Sequence, residues 1–293
     1  MTKLSQHQSN EYTKMMVIGN PGSGKTGGLA SLVKAGYWLG ILDLDNGLET
    51  LKQYVLREAP DKIDNIEYRT LRDEARMTPA GRTVIGAAKA YQTAVDMCDK
   101  WKYGDIDEGH PWQWGPKRVL VIDSGTFLAQ AGYDWCQQVV VKPGKEGKYD
   151  QRAVFYAAQQ SFMNLMSIIT AENFKTNVIV NTHIRYIEDA NGVMKGFPNT
   201  IGTAIATMVG AYFNSIALCE TQHGGKHTIV TASTSHVDLK NPAPFAMQPR
   251  YPLETGLADF FKVLRQPVKE VPPTPKPVQQ RLFPNVRPNL RKV

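Results

Sequence analysis

The sequence predicts an α/β domain in which helices flank a mainly parallel central sheet and antiparallel hairpins are added towards the C-terminus. Three observations carry this. Short apolar runs ending in glycine or aspartate alternate with longer segments of helical spacing through the first part of the chain. Parallel strands, buried on both faces, read as such continuous apolar runs, and the helices between them supply the crossovers. Later, two pairs of extended runs flank Asn-Gly and Gly-Gly turns, which is the hairpin signal.

In order, residues 15–18 form an apolar run that enters Gly19-Asn20-Pro21-Gly22-Ser23-Gly24-Lys25-Thr26-Gly27, and residues 29–34 are helix-compatible. The second run, residues 38–42, ends in Asp43-Leu44-Asp45-Asn46-Gly47, which puts carboxylates at a strand's carboxyl end. Val84, Ala88, Tyr91, Val95, Cys98 and Trp101 recur every three or four residues and predict a helix over residues 82–101. After a loop rich in Gly, Pro, His and Trp, residues 119–122 make a third buried strand ending in Asp123-Ser124-Gly125. Helices are expected over residues 126–139 and 152–171, separated by a glycine-containing loop with Lys142, Lys145 and Lys148. A strand over residues 177–181 ends at Thr182-His183; hairpins follow at 184–197 and 215–232.

A chain of 293 residues, 42% hydrophobic and 21% charged, suits one large domain, placed here at residues 14–265 between a flexible start (1–13) and a tail (266–293). The net charge of +7 resembles a nucleic-acid signal, but most of it is in the tail, where six basic residues meet only Glu270. Seven prolines in that stretch predict an extended arm. No run of 18 apolar residues and no leader-like start occur, so a cytoplasmic protein with no membrane partner is expected. Cys98, Cys136 and Cys219 are too scattered for a zinc or disulfide framework.

Residues 19–27 carry the clearest chemistry. Glycines let the backbone fold tightly enough to aim several N–H groups at one anion, and a helix beginning there adds its positive end. Gly19 and Gly24 frame the loop, Lys25 is placed to reach the β- and γ-phosphates, and Thr26 to give its hydroxyl to Mg²⁺. Asp123 is the matching strand-end carboxylate for Mg²⁺, the Walker-B position. Asp43, Asp45 and Glu49 are candidates for orienting or deprotonating the attacking water. ATP and Mg²⁺ are therefore the expected cofactors.

In segment order the chain resembles the RecA-like P-loop ATPases, and among them compact phage-encoded annealing and recombination proteins. Leu42-Asp43-Leu44-Asp45 is similar to that family's strand ending in Asp-x-Glu, which gives Asp45 the water-activating role with a shorter side chain. Val121-Ile122-Asp123-Ser124 is similar to the Walker-B strand, and Asn181-Thr182-His183-Ile184-Arg185 to a strand ending in Asn-Gln-Ile-Arg, with His183 in the place of the γ-phosphate-sensing Gln. Lys240-Asn241-Pro242-Ala243-Pro244-Phe245 resembles a segment whose lysine reaches the ATP of a neighbouring subunit, which implies a homo-oligomer with Lys240 acting in trans.

The resemblance also implies single-stranded DNA as a partner, held by two loops. Their counterparts are residues 140–151, with Lys142, Lys145 and Lys148, and residues 185–199, with Arg185, Tyr186 and Lys195. The implied activity is DNA-dependent ATP hydrolysis in annealing or strand pairing. Two competitors share the phosphate loop: a replication or packaging motor or helicase-loading ATPase, and a nucleotide-gated DNA-binding module with little turnover. Gln279-Gln280-Arg281-Leu282-Phe283 resembles a peptide that docks bacterial sliding clamps. Trp101, Tyr103, Trp112 and Trp114 are better read as packing than as a stacking platform.

Overall fold

The computed structural model describes residues 11–79, 81–140, 150–189 and 191–266. Lys142, Lys145, Lys148 and the clamp-like Gln279-Gln280-Arg281-Leu282-Phe283 lie outside these residues.

Thirteen strands are described: β1 (Lys14–Gly19), β2 (Trp38–Asp43), β3 (Ile66–Thr70), β4 (Ala75–Thr78), β5 (Gly81–Val84), β6 (Trp101–Tyr103), β7 (Ile106–Gly109), β8 (Gly115–Asp123), β9 (Thr176–Glu188), β10 (Met194–Pro198), β11 (Ser215–Thr221), β12 (His227–Val230) and β13 (Arg250–Pro252). The helices are α1 (Lys25–Gly28), α2 (Ala30–Lys34), α3 (Glu49–Glu58), α4 (Ala90–Asp99), α5 (Gly125–Trp135), α6 (Gln151–Thr170), α7 (Gly202–Met208) and α8 (Leu253–Leu264). The main sheet has the order β13-β12-β11-β1-β9-β8-β2-β3, with β10 attached to β9. Pairings from β11 through β3 are parallel, whereas β12, β13 and β10 join antiparallel. The predicted fold class is therefore the observed one: a mainly parallel sheet between helices, with antiparallel additions.

Strand periodicity explains the two layers. In β1, Met15 and Val17 face one side and Met16 and Ile18 the other, and all four are buried. One face is covered by apolar residues of α2, α3 and α8, including Leu32, Val55 and Phe260. The other is covered by α4, α5, α6 and α7, including Tyr91, Leu128, Phe162 and Ile205. Burying a leucine- or phenylalanine-sized side chain contributes about 1.5–3 kcal/mol, so two-sided burial of this sheet is the dominant favourable term in the fold.

The helix predicted over residues 82–101 is shorter than expected. Residues 81–84 are β5, paired with β4, and only Ala90–Asp99 is helical. Gly81 and Gly86 both adopt positive φ, and between them Thr83, Val84 and Ile85 are β-branched, which favours extended backbone. Trp101 then opens the small hairpin β6–β7 in what the sequence reads as a helix end and a loop. It is fully buried and meets Trp38 and Trp114 edge-on, so for these rings packing prevails over base stacking. The strand expected at 177–181 and the first arm of the next hairpin are one continuous strand, β9, of 13 residues.

Candidate functional site

The phosphate loop joins β1 to α1. Gly22 and Gly24 have φ of +75° and +99°, which only glycine adopts without strain. A Cβ on Gly19 would sit 2.4 Å from the Cys219 carbonyl oxygen on the adjacent β11, so the close approach of two backbones fixes that glycine. Leu29 keeps helical dihedrals between α1 and α2, so the chain runs from the loop into a two-part helix. The Lys25 ammonium is buried and donates to the Gly19 and Asn20 carbonyls at 3.0 and 2.9 Å. Burial lowers its pKa, opposed by Asp123, Cys219 and Asp45.

The sheet order brings the second half of the site together. Strand β9 lies between β1 and β8, and its register sets His183 beside Gly19 and Asn181 beside Asp123. Thr26 donates its hydroxyl to an Asp123 carboxylate oxygen at 2.7 Å. Asp123 is 1% exposed, and burial pushes its carboxyl up to about 6; the Thr26 hydroxyl opposes this and the Asp45 charge adds to it.

Asp43 and Asp45 have different tasks. Asp43 is buried at the end of β2; its carboxylate accepts from the Asn46 backbone N–H at 2.8 Å and the Thr70 hydroxyl at 3.1 Å. It shapes the turn. Asp45 accepts from the Ser124 hydroxyl at 3.0 Å and lies 3.7 Å from His183 Nε2. Glu49 pairs with Gln53 and Lys52 on the exposed face of α3. Of the three sequence candidates, Asp45 is the one in contact with Ser124 and His183. The His183 ring stands edge-on to Phe127 at 5.8 Å, and burial lowers its pKa below the usual histidine value, with Lys25 adding to that and Asp45 opposing it.

Lys240 is not brought to this cluster. Its ammonium donates to the carbonyls of Phe213, Ala211 and Gly210 at 2.8, 3.2 and 3.4 Å, and its backbone pairs with Ile216, level with Met16 in β1. That level is short of the carboxyl end of β1, where the phosphate loop begins. Within its own chain the exposed Lys240 side chain is thus held against the backbone carbonyls that precede β11.

Arg185, Tyr186 and Lys195 sit on the β9–β10 hairpin. Arg185 pairs in register with Phe197, Tyr186 is exposed, and Lys195 lies 3.8 Å from Asp238. Thr126, which the sequence reading left without a role, closes the hairpin's base. Its hydroxyl donates to the Asn199 carbonyl at 2.7 Å and accepts from the His183 N–H at 3.0 Å, while the Asn199 N–H bonds the His183 carbonyl. Ser124, Phe127 and Asn181 are further contacts found only in the structure. Ser124 follows Asp123 directly, but Asn181 becomes a neighbour of Asp123 through strand order, which local sequence does not contain.

The residues fit a magnesium nucleotide. Ser23 Oγ, Asp123 Oδ1 and both amide atoms of Asn181 are among the described side-chain atoms buried without a hydrogen-bond partner, and these four lie in the loop or on the strand ends beside it. Such groups carry a desolvation cost of about 1–3 kcal/mol each unless a partner arrives. Thr26 and Asp123 would hold Mg²⁺, which supplies charge neutralisation on the phosphates, and Lys25 with the loop backbone, from Gly19, Asn20 and Pro21 to Gly27, would hold the phosphates themselves.

A family model described as an AAA domain matches residues 11–243. The chain belongs to this AAA-domain family. The match spans every strand of the site, and together they define a P-loop ATPase domain. Among solved structures, the crystal structure of the RadB recombinase aligns at 14% identity with a TM-score of 0.42, covering 74% of this chain and 80% of that chain. No curated protein matches the sequence. No described helix of the AAA domain is long and apolar enough to cross a membrane.

Proposed function

We propose that this AAA domain hydrolyses ATP and couples hydrolysis to single-stranded DNA in recombination, through annealing or strand pairing, as a homo-oligomer. One observation carries the reading. The strand that presents His183 to the nucleotide site continues without a break into the hairpin bearing Arg185, Tyr186 and Lys195, and Thr126 fastens that hairpin to the helix after Asp123.

In this reading Asp45 is the general base. Ser124 and His183 contact its two oxygens and hold it in place, while its partial exposure leaves room for a water. His183, kept neutral, offers a hydrogen bond without adding a positive charge beside Lys25. A strand end that shifts with nucleotide moves the hairpin it belongs to, which is how ATP would regulate a DNA contact.

ATPase measurements with and without single-stranded DNA, alongside annealing of complementary oligonucleotides, test this for wild type and Lys25→Ala. The expected result is hydrolysis stimulated by the single strand, with both activities lost in Lys25→Ala. Annealing that is indifferent to Lys25 would favour a nucleotide-gated binding module. Hydrolysis with no response to DNA and no annealing would overturn the recombination reading and favour a motor or loader.

A further inference from the structure

Phe127, in contact with His183, begins an aromatic face that the proposed ATPase cycle does not use. Phe127, in the first turn of α5, meets His183 with one edge, and the Arg72 guanidinium lies 5.8 Å from its ring centre. From there a groove of about 630 Å³ runs along α5 to Tyr133. Tyr133 also lines a second groove, of about 340 Å³, with Arg152, Phe155 and Tyr156. The Tyr133 and Phe155 rings stand edge to face at 6.2 Å, so the two grooves share one aromatic wall. Phe127 is 36%, Phe155 40% and Tyr156 66% exposed.

The charges on this face are unevenly committed. Asp134 is paired with Arg82 at 2.5 Å, and Asp73 accepts the Lys89 and Ala90 N–H groups at the start of α4. Asp134 and one oxygen of Asp73 are thus tied to protein donors, while the second Asp73 oxygen is buried without a partner. Arg72 and Arg152 stand beside rings at its two ends.

We propose that this α5–α6 face is a binding site for single-stranded nucleic acid, with bases stacking on Phe127, Tyr133, Phe155 and Tyr156 and phosphates met by Arg72 and Arg152. The inference rests on the DNA reading above and adds a site beyond the two loops. Exposed rings alternating with arginines are what a flexible polyanion with accessible base faces requires; a duplex hides those faces in its stack. Phe127 and Tyr133 are six residues apart on a helix, about 9 Å along its axis, so successive rings are offered at separated points along a strand. Contact of Phe127 with His183 places one end of this path against the nucleotide sensor.

Fluorescence anisotropy of a labelled oligothymidylate with the full chain tests the site, using wild type, Phe155→Ala, Tyr156→Ala and Arg152→Gln. Melting curves and the affinity for a fluorescent ATP analogue serve as controls that each variant is folded. Tyr156→Ala and Phe155→Ala should each weaken single-strand binding roughly tenfold, with ATP-analogue affinity unchanged. Arg152→Gln should reduce the slope of log affinity against log salt by about 0.7. Wild-type binding retained in full by all three folded variants would overturn this site while leaving the DNA reading standing. No single-strand binding by wild type would overturn both, and equal binding of duplex, indifferent to the aromatic variants, would overturn the stacking assignment.

Discussion

At the scale of single residues, the two aspartates after β2 are separated by what their carboxylates touch. Asp43 is spent on the Asn46 N–H and the Thr70 hydroxyl, and Asp45 on Ser124 and the neighbourhood of His183. Asp45→Asn should therefore lower kcat by about 10²-fold or more, the usual contribution of a general base, while the affinity for a fluorescent ATP analogue stays near wild type. Asp43→Asn should lower the melting temperature and leave more of kcat than Asp45→Asn does. Equal loss of kcat in both would sink the assignment. His183 gives a pH-dependent counterpart. Its pKa lies below the usual value, so it is neutral at and above pH 7; acidification adds a charge beside Lys25 and ties Asp45 into an ion pair. Wild-type hydrolysis should fall on the acid side of the ordinary histidine range. His183→Gln should flatten that limb and cost no more than about fivefold at neutral pH, one hydrogen bond's worth.

At the scale of elements, what was legible in the sequence follows from how local the cause is. The phosphate loop, the strand ends at Asp43 and Asp123 and the turn that carries Asp45 were readable because glycine φ values, apolar runs and strand-end carboxylates are properties of short segments. The helix expected over residues 82–101 was misread because a residue spacing of three to four also occurs across a hairpin, a turn and a short helix, and Gly81 and Gly86 punctuate that pattern. The carbonyls that Lys240 meets within its own chain come from residues about thirty positions earlier, which its short motif does not contain. Asn181 and Thr126 depend on β9 lying next to β8, a tertiary fact. Another such fact is Lys14 at the start of β1. Its ammonium is enclosed by the Phe174 and Thr176 carbonyls and the Phe174 ring, and burial lowers its pKa to about 7. In the unfolded chain it titrates at the ordinary lysine value, so the unfolded state binds more protons between the two. Its contribution is complete above the unfolded value and is lost as pH falls to about 7. Chemical denaturation from about pH 7 to about pH 9 should show wild-type stability gaining on that of Lys14→Met as pH rises. A constant difference between the two would refute this account.

Over the whole molecule, the strand order makes β9 the shared wall between two chemistries. It separates β1, which ends in the phosphate loop, from β8, which ends in Asp123, and of these three strands it is the one that continues into a hairpin. The His183 N–H and the Asn199 carbonyl therefore meet at one hydroxyl, that of Thr126. Thr126→Val keeps the branched shape and removes both hydrogen bonds. In wild type, binding of a magnesium complex of a slowly hydrolysed ATP analogue should slow amide exchange in residues 19–28 and also in residues 184–199. In Thr126→Val the first protection should remain, because it comes from the phosphate loop itself. The second should shrink by roughly fivefold in exchange rate for each hydrogen bond lost. Equal protection of the hairpin in both proteins would mean that nucleotide and hairpin communicate by another route, through the body of β9 and not through its fastening to α5.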